Sequence, residues 1–194
     1  MKIIAGYLKG KNILITKENS YRPTTGKTKE AIFSILSSGQ FINQDTNESV
    51  LKGAITLDLF GGTGALTFEA ISRGASKGII IENNSHNIKT LETNIKRFNI
   101  QHKINLLKIN AIDLPMASLQ IANKISIAFI DAPFNKNLIE KSISQLISKN
   151  WLSNSALLII EHHEKENYQL DSEYTLITSR KYGKVILSIY TSSR

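Results

Sequence analysis

A cluster of glycines directly after an aspartate is the part of this sequence best suited to chemistry. Asp58 ends an apolar stretch of strand length, and a glycine-rich segment follows it. This segment, here called the glycine turn, consists of Phe60, Gly61, Gly62, Thr63 and Gly64. Glycines let backbone amides approach a ligand closely, because no Cβ atom stands in the way. A strand, a glycine turn and a helix in this order bind the cofactor in many doubly wound α/β proteins.

The glycine turn matches neither of two phosphate-binding motifs. The dinucleotide fingerprint requires a small residue where the chain has Thr67, and a P-loop ending at Thr28 requires glycine where the chain has Tyr21. Glu82 lies about 20 residues beyond the turn, the separation at which a carboxylate meets ribose hydroxyls. A cofactor bound through hydroxyls and an amino-acid group, such as S-adenosyl-L-methionine, therefore fits the pattern better than a nicotinamide dinucleotide.

Polar residues also stand at the ends of the other predicted strands. Glu82 ends the second strand, Asn110 follows the third, and Asp131 ends the fourth. We expect Glu82 to accept hydrogen bonds from ribose, Asn110 to meet an adenine edge, and Asp58 to lie near the amino-acid end of the cofactor. The complete predicted cofactor site comprises Asp58, Phe60, Gly61, Gly62, Thr63, Gly64, Glu82, Asn83, Asn110, Ala111 and Asp131.

The fourth strand end offers a second kind of chemistry. A carboxylate, a small residue, a rigid proline and an aromatic ring follow one another there: Asp131, Ala132, Pro133 and Phe134. This array suits a planar exocyclic amine, since the Asp131 carboxylate and the Ala132 carbonyl can each accept one N–H while Phe134 stacks on the ring. These four residues form the predicted catalytic set.

Composition describes a basic protein without cysteine. The 194 residues contain 24 Lys and Arg against 16 Asp and Glu, a net charge of +8, which favours a polyanionic partner such as nucleic acid. The basic residues concentrate between Met1 and Lys29, where seven stand against one acidic residue. The absence of cysteine excludes disulfides and thiolate metal sites and is compatible with the cytoplasm, where we expect the protein. No apolar run reaches the roughly 20 residues that span a bilayer, so no membrane association is expected.

The hydrophobic pattern predicts a hairpin followed by alternating strands and helices. The hairpin covers residues 2–16, and a basic loop, a helix and a polar loop follow at 17–26, 27–37 and 40–52. Further strands are predicted at 54–60, 77–82, 104–109, 125–130, 155–161, 174–179 and 185–190, and helices at 65–73, 84–98, 112–121 and 136–148. Such alternation indicates a parallel sheet with helices on both faces and ligands at its carboxyl edge. Residues 161–164, with two histidines, lack a recognised metal-ligand spacing and are predicted to be a solvated loop, so no metal is expected.

Several other segments carry a family resemblance. They are residues 2–11, the Arg22-Pro23-Thr24-Thr25 loop, the helix start at 29–33, and residues 69–75 after the glycine turn. With the motifs above, they make the chain resemble, over nearly its whole length, the bacterial 16S ribosomal RNA guanine-N2 methyltransferases of the RsmD type. The chain departs from the family pattern in the glycine turn and at Gly26, Lys27, Asn83 and Ala132, the last of which replaces a proline.

The resemblance implies a Rossmann-like class I methyltransferase fold that uses S-adenosyl-L-methionine to methylate N2 of one guanine in 16S rRNA, either naked or in the assembling small subunit. It implies a methyltransferase domain at 27–194 and an RNA-binding extension at 1–26, and we expect a monomer. Its implied RNA-binding residues are Lys9, Lys11, Arg22, Thr24, Thr25 and Lys27. The residues leave four alternatives open: methylation of adenine N6, methylation of a glutamine amide, an NAD-dependent oxidoreductase, and an RNA-binding protein without catalysis.

Overall fold

The computed structural model describes residues 1–15, 26–134 and 137–192, and these ranges contain four α-helices and nine strands. The helices are α1 (Gly26–Leu36), α2 (Ala65–Ser72), α3 (Ser85–Phe98) and α4 (Leu138–Ser148). The strands are β1 (Ile42–Asn43), β2 (Glu48–Ser49), β3 (Ile55–Asp58), β4 (Lys77–Ile81), β5 (Ile104–Leu107), β6 (Ile125–Asp131), β7 (Leu152–His163), β8 (Tyr174–Tyr182) and β9 (Val185–Ser192). Two 3₁₀ helices lie between them, at Gly39–Phe41 and Gln101–Lys103.

Seven of the strands form one sheet in the order β5-β4-β3-β6-β7-β9-β8. The first five strands of this order are parallel, and β9 runs antiparallel to both of its neighbours. The connections change direction between β3 and β6, and parallel sheets bind ligands beyond the carboxyl ends of their strands at such a point. The predicted Rossmann-like α/β fold is confirmed.

Two hydrophobic cores cover the two faces of the sheet. One face packs against α1, α2 and α3, with Phe129 of β6 at its centre, and the other packs against α4 and Trp151. Successive side chains of a strand point to opposite faces, so Leu57 and Leu59 enter the second core while Asp58 points toward α2. The helix that follows the glycine turn therefore covers the first predicted site residue.

Residues 112–121 form turns and irregular chain where a helix is predicted. Pro115 has no N–H to donate, and its ring disfavours the helical conformation at Leu114. The Leu114 N–H donates instead to Oε1 of Gln145 (3.2 Å), and the Pro115 carbonyl accepts from the indole N–H of Trp151 (2.9 Å). The helix prediction is wrong here because tertiary hydrogen bonds replace the helical ones.

The predicted loop at 40–52 contains regular structure as well. One of the 3₁₀ helices leads into β1, which pairs antiparallel with β2. The side chain of Asn43 closes the connection by accepting hydrogen bonds from the N–H groups of Asp45 (2.9 Å) and Thr46 (3.1 Å). Such short pairings have no hydrophobic alternation that would reveal them in the sequence.

Residues 1–15 turn back on themselves as predicted, but with little regular pairing. Lys2 and Asn12 form an isolated antiparallel bridge, and the Ile3 N–H donates to the Lys11 carbonyl (3.1 Å). Ile3 and Leu8 are 1% and 2% exposed and belong to the same core as the first three helices. None of the helices in the described ranges combines the length and apolarity needed to cross a lipid bilayer.

Candidate active site

The glycines of the glycine turn are required for different reasons. A Cβ on Gly61 would lie 2.3 Å from Cγ2 of Ile80, and one on Gly64 would lie 2.6 Å from Cδ2 of Leu91. These two positions are restricted by packing inside the protein. Gly62 has a φ of +51°, which favours glycine, and the nearest described atom lies 3.6 Å from a Cβ built there. Gly62 is therefore the glycine whose surroundings leave room for a ligand.

The carboxylate of Glu82 holds the glycine turn against the end of β4. Its Oε2 accepts hydrogen bonds from the Gly62 N–H (2.8 Å) and from Nδ2 of Asn87 (3.0 Å). Its Oε1 accepts from the N–H groups of Asn83 and Asn84 (2.8 Å each). Four donors thus fix the orientation of this side chain. Sequence reasoning missed Asn87, a buried residue in the first turn of α3.

Asp58 lies beneath α2 and is 2% exposed. The hydroxyl of Thr67 donates to its Oδ2 at 3.4 Å. Burial, followed by the charges of Asp131 and Glu82, raises the pKa of Asp58 to about 8. Thr67, another residue that sequence reasoning missed, fits against the sheet because Gly78 of β4 leaves room: a Cβ there would lie 2.4 Å from Cγ2 of Thr67.

The strand register explains why these carboxylates meet. Asp58 is opposite Ile80 of β4 and Phe129 of β6. Glu82 and Asp131 lie two residues beyond those partners, so alternation puts them on the same face of the sheet as Asp58. The structure therefore brings together three of the four polar strand ends that the sequence singled out.

A fourth carboxylate joins them from β7. Glu161 is in register with Asp131 and is 5% exposed, whereas Asp131 is half-buried. We call this group the carboxylate edge, and it consists of Asp58, Glu82, Asp131 and Glu161. It brings four acidic side chains to one edge of a protein whose net charge is +8.

The residues after Asp131 form a wall beside the carboxylate edge. Ala132 is 2% exposed, and Pro133 and Phe134 are half-buried. The ring of Phe134 meets the ring of His163 edge-on, with 5.7 Å between ring centres and an angle of 64° between planes. His163 therefore supports Phe134, and sequence reasoning missed this role because Phe134 follows β6 whereas His163 ends β7.

Residues 161–164 are predicted to be a solvated loop, and this prediction is wrong. Residues 161–163 are the end of β7, and His162 is 8% exposed, with its ring edge-on to Tyr168 at 4.9 Å. Burial lowers the pKa of His162. Within 1–15, 26–134 and 137–192, no group of three or more His, Asp or Glu residues is arranged to hold a metal ion.

The remaining predicted cofactor residues surround the carboxylate edge less closely. Asn110 is exposed, and its Oδ1 accepts a hydrogen bond from the Ile112 N–H (3.2 Å). Ala111 is 5% exposed, and Asn83 contributes its backbone N–H to Glu82. Phe60 and Thr63 are half-buried within the glycine turn. Their assignment to the cofactor stays a prediction.

An acidic residue of α2 holds the amino-terminal segment in place. Glu69 accepts hydrogen bonds from the N–H groups of Ile4 (2.8 Å) and Ala5 (2.9 Å). It also forms ion pairs with Lys29 (3.0 Å) and Arg73 (2.9 Å). We call these five residues the amino-terminal lock. Burial alone raises the pKa of Glu69, but the hydrogen bond from Ile4 and the hydrogen bond and charge of Lys29 outweigh it, so the pKa lies below its usual value.

The structure describes three of the six predicted RNA-binding residues. Lys9, Lys11 and Lys27 are exposed, and Arg22, Thr24 and Thr25 fall outside the described residues. Lys29, which the sequence counts among the clustered cations, is 1% exposed in the lock and contributes no surface charge.

Comparison with known proteins agrees with this geometry. The family described as Conserved hypothetical protein 95 matches residues 1–191. A curated relative, the ribosomal RNA small subunit methyltransferase D of Buchnera aphidicola, is 30% identical over 192 residues, which cover 98% of this chain and 93% of the relative. The chain belongs to the RsmD family. The RsmD-family chain is also 31% identical to an uncharacterized methylase of Rickettsia prowazekii, with 99% of this chain and 98% of that protein covered.

A solved structure supports the same assignment at the level of the fold. The YhhF protein of Escherichia coli superimposes on this RsmD-family chain with a TM-score of 0.82 and 26% identity, and the match covers 99% of this chain and 97% of that one. The mostly parallel seven-stranded sheet with one antiparallel strand near its edge is the Rossmann-like fold of class I methyltransferases.

Proposed function

We propose that this RsmD-family protein transfers a methyl group from S-adenosyl-L-methionine to the exocyclic N2 amine of one guanine in 16S rRNA. The relatives named as ribosomal RNA small subunit methyltransferases support the class of substrate. The substrate is 16S rRNA, naked or in the assembling small subunit, in the cytoplasm. The observation that carries the chemical part of the proposal is the position of Asp131, which belongs to the carboxylate edge and leads directly to Phe134.

The carboxylate edge fits a positively charged cofactor. A cation beside Asp58 stabilises the ionised form of a carboxyl group that burial and its neighbours hold near a pKa of 8. We assign the amino group of the cofactor to Asp58, its ribose hydroxyls to Glu82 and its adenine edge to Asn110. The open space beside Gly62 leaves room for the cofactor. When bound, S-adenosyl-L-methionine supplies a methyl group that is already activated by its sulfonium.

The same charges argue against a nicotinamide dinucleotide. Its pyrophosphate is anionic and would lie beside a glycine turn bordered by the carboxylates of Glu82 and Asp131. An oxidoreductase is therefore the weaker alternative.

Asp131, Ala132 and Phe134 suit the preparation of an aromatic amine. The lone pair of the guanine N2 amine is delocalised into the purine, which makes it a poor nucleophile. We assign its two N–H groups to the Asp131 carboxylate and the Ala132 carbonyl, so that the lone pair is directed at the methyl group. Asp131 then accepts the proton that the methylated amine loses. Phe134, braced by His163, stacks on the base after it has left its own stack.

Methyl transfer by Asp131→Ala tests the proposal. Purified protein, labelled S-adenosyl-L-methionine and 16S rRNA from cells that lack this gene are combined, and cofactor binding is measured by calorimetry on the same samples. We expect transfer to be abolished while cofactor binding persists. The exposed residue Asp45, on the connection between β1 and β2, provides the matched control, and Asp45→Ala should behave like the wild type.

The labelled nucleoside decides between the related activities. Digestion of the methylated rRNA should yield N2-methylguanine, whereas N6-methyladenine or label in protein would favour the other planar amines. An RNA-binding protein without catalysis would bind the rRNA and transfer no label. Equal loss of cofactor binding and transfer in Asp131→Ala would show that the aspartate has a structural role.

A further inference from the structure

An exposed aromatic ring with a cation beside it lies at the tip of the amino-terminal segment. Tyr7 is 57% exposed, and Nζ of Lys103 lies 5.1 Å from the centre of its ring. Lys103 ends the 3₁₀ helix that precedes β5, almost one hundred residues away in the chain. Neither residue belongs to the carboxylate edge or to the amino-terminal lock.

The backbone at Tyr7 is held rigidly. Its N–H donates to the carbonyl of Ser72, the last residue of α2, at 3.0 Å. The preceding Gly6 has a φ of +78°, and a Cβ there would lie 1.7 Å from the Ser72 carbonyl oxygen. The ring is thus presented to solvent from a fixed point, which reduces the entropy that it loses when a ligand stacks on it.

Further cations join the amino-terminal segment to the end of α3. Nζ of Lys11 and the guanidinium of Arg97 lie 5.8 Å and 6.0 Å from the centre of the Phe98 ring. Arg97 also donates to the Asn12 carbonyl at 3.3 Å. With the exposed Lys9, these residues are here grouped as the Tyr7 surface, which consists of Tyr7, Lys9, Lys11, Arg97 and Lys103.

We infer that the Tyr7 surface binds a single-stranded stretch of the substrate RNA, with an unpaired base stacked on Tyr7 and phosphates against the surrounding cations. An aromatic ring among basic residues is the arrangement that holds single-stranded nucleic acid without sequence preference. Lys103 lies beside the Tyr7 ring, and Lys9, Lys11 and Arg97 add positive charge on the same segment and on the adjoining end of α3. This charge favours a polyanion over a protein partner. The inference rests on the proposed function, because it names the part of that RNA which the protein binds.

The Tyr7 surface is too far from the glycine turn to contact the base that reacts. The glycine turn precedes the first residue of α2, and Tyr7 is bonded to the last one. Eight residues of α-helix span about 12 Å. The base on Tyr7 is therefore a second nucleotide, and the RNA must span at least this distance over the protein surface to reach both places.

Binding of a fluorescent single-stranded RNA of about 12 nucleotides and of its duplex tests this inference. For the single strand we expect Tyr7→Ala to weaken binding by about 5-fold to about 150-fold, and Tyr7→Phe, which keeps the ring, to bind like the wild type. The duplex should be nearly insensitive to both changes. Lys103→Ala should reduce the dependence of binding on salt by about one ion, whereas Lys141→Ala, an exposed lysine of α4, should leave it unchanged.

The outcomes separate this inference from the proposed function. If the wild type methylates 16S rRNA while Tyr7→Ala binds and methylates equally well, the inference fails and the proposed function stands. If Tyr7→Phe is as weak as Tyr7→Ala, the hydroxyl rather than the ring makes the contact, which overturns stacking. If Tyr7→Ala affects only subunit particles that carry ribosomal proteins, the partner is a protein. Absence of methyl transfer by the wild type contradicts the proposed function whatever Tyr7 does.

Discussion

Glu69 in α2 and Asp58 beneath α2 are both buried carboxylates, yet their pKa values are shifted in opposite directions. Glu69 meets the ammonium group of Lys29 and two backbone N–H groups, which hold its pKa below the usual value despite its burial. Asp58 meets one hydroxyl at 3.4 Å and lies beside Asp131 and Glu82, and its pKa is raised to about 8.

The ionised carboxylate of Glu69 therefore stabilises the folded protein, whereas ionisation of Asp58 destabilises it. A carboxylate with a lowered pKa contributes stability at neutral pH, and that contribution is lost as the pH falls through its folded pKa. A carboxylate with a raised pKa lowers stability as it ionises, and such groups concentrate at functional sites, where their charge or proton is used. Glu69 of the amino-terminal lock is the first kind of carboxylate, and Asp58 of the carboxylate edge is the second.

The largest expected effect is on the stability of the lock. Glu69→Ala leaves Lys29 buried without its ion pair, and we expect unfolding in urea to show a loss of about 3–5 kcal/mol. Glu30→Ala, at an exposed position of α1, is the control and should change stability by less than about 0.5 kcal/mol. A loss below about 1 kcal/mol in Glu69→Ala would mean that the lock does not stabilise the protein.

Asp58→Asn should remove a pH dependence of folding stability that has the opposite sign to the one expected from Glu69. The unfolded pKa of aspartate is about 3.9, so between that value and about 8 the folded wild type binds the extra proton. Stability of the wild type should therefore fall as the pH rises through this window, by up to about 1.4 kcal/mol per pH unit. Urea unfolding at several pH values should show this slope in the wild type and in Asp45→Asn and not in Asp58→Asn. Equal slopes in all three proteins would contradict the raised pKa.

The affinity for the cofactor should depend on whether Asp58 is protonated. If Asp58 binds the amino group of the cofactor, its ionised form is needed, so affinity should fall as the pH is lowered below about 8, by up to about tenfold per pH unit. Calorimetry with S-adenosyl-L-homocysteine, which keeps the amino group, should show this dependence. 5′-Methylthioadenosine, which lacks the amino-acid end, should not, and a dependence shared by both ligands would place another group in control.

The smallest expected effect concerns Thr67. In the wild type, the weak hydrogen bond from Thr67 lowers the pKa of Asp58. Thr67→Val keeps the shape of the side chain and removes this hydrogen bond. We expect the pKa of Asp58 to rise by less than about one unit, with stability changed by less than about 1.4 kcal/mol. Carbon-detected NMR titration of the carboxyl groups measures the change, and an unchanged or lowered pKa would show that this hydrogen bond is not formed in solution.

Prediction from the sequence succeeds where one local pattern decides the outcome. The alternation of apolar segments predicts the sheet and most helices within a few residues, and Asn84 caps α3 as a residue of its type should. It fails at 112–121, where Pro115 and the contacts of Trp151 replace a helix, and at 161–164, where pairing with β9 extends β7 through the histidines. Both failures depend on partners distant in the chain.

The sequence by itself determined the strand ends that carry Asp58, Glu82 and Asp131, because apolar periodicity and the glycine turn are local. Only the tertiary structure decided that the register of three strands sets these carboxylates on one face, where burial and mutual repulsion raise the pKa of Asp58. The tertiary structure also decided that Lys29 is a buried partner of Glu69 and that Tyr7 contacts Lys103 at the surface. Electrostatic energies depend on distances between side chains, and the fold alone fixes those distances.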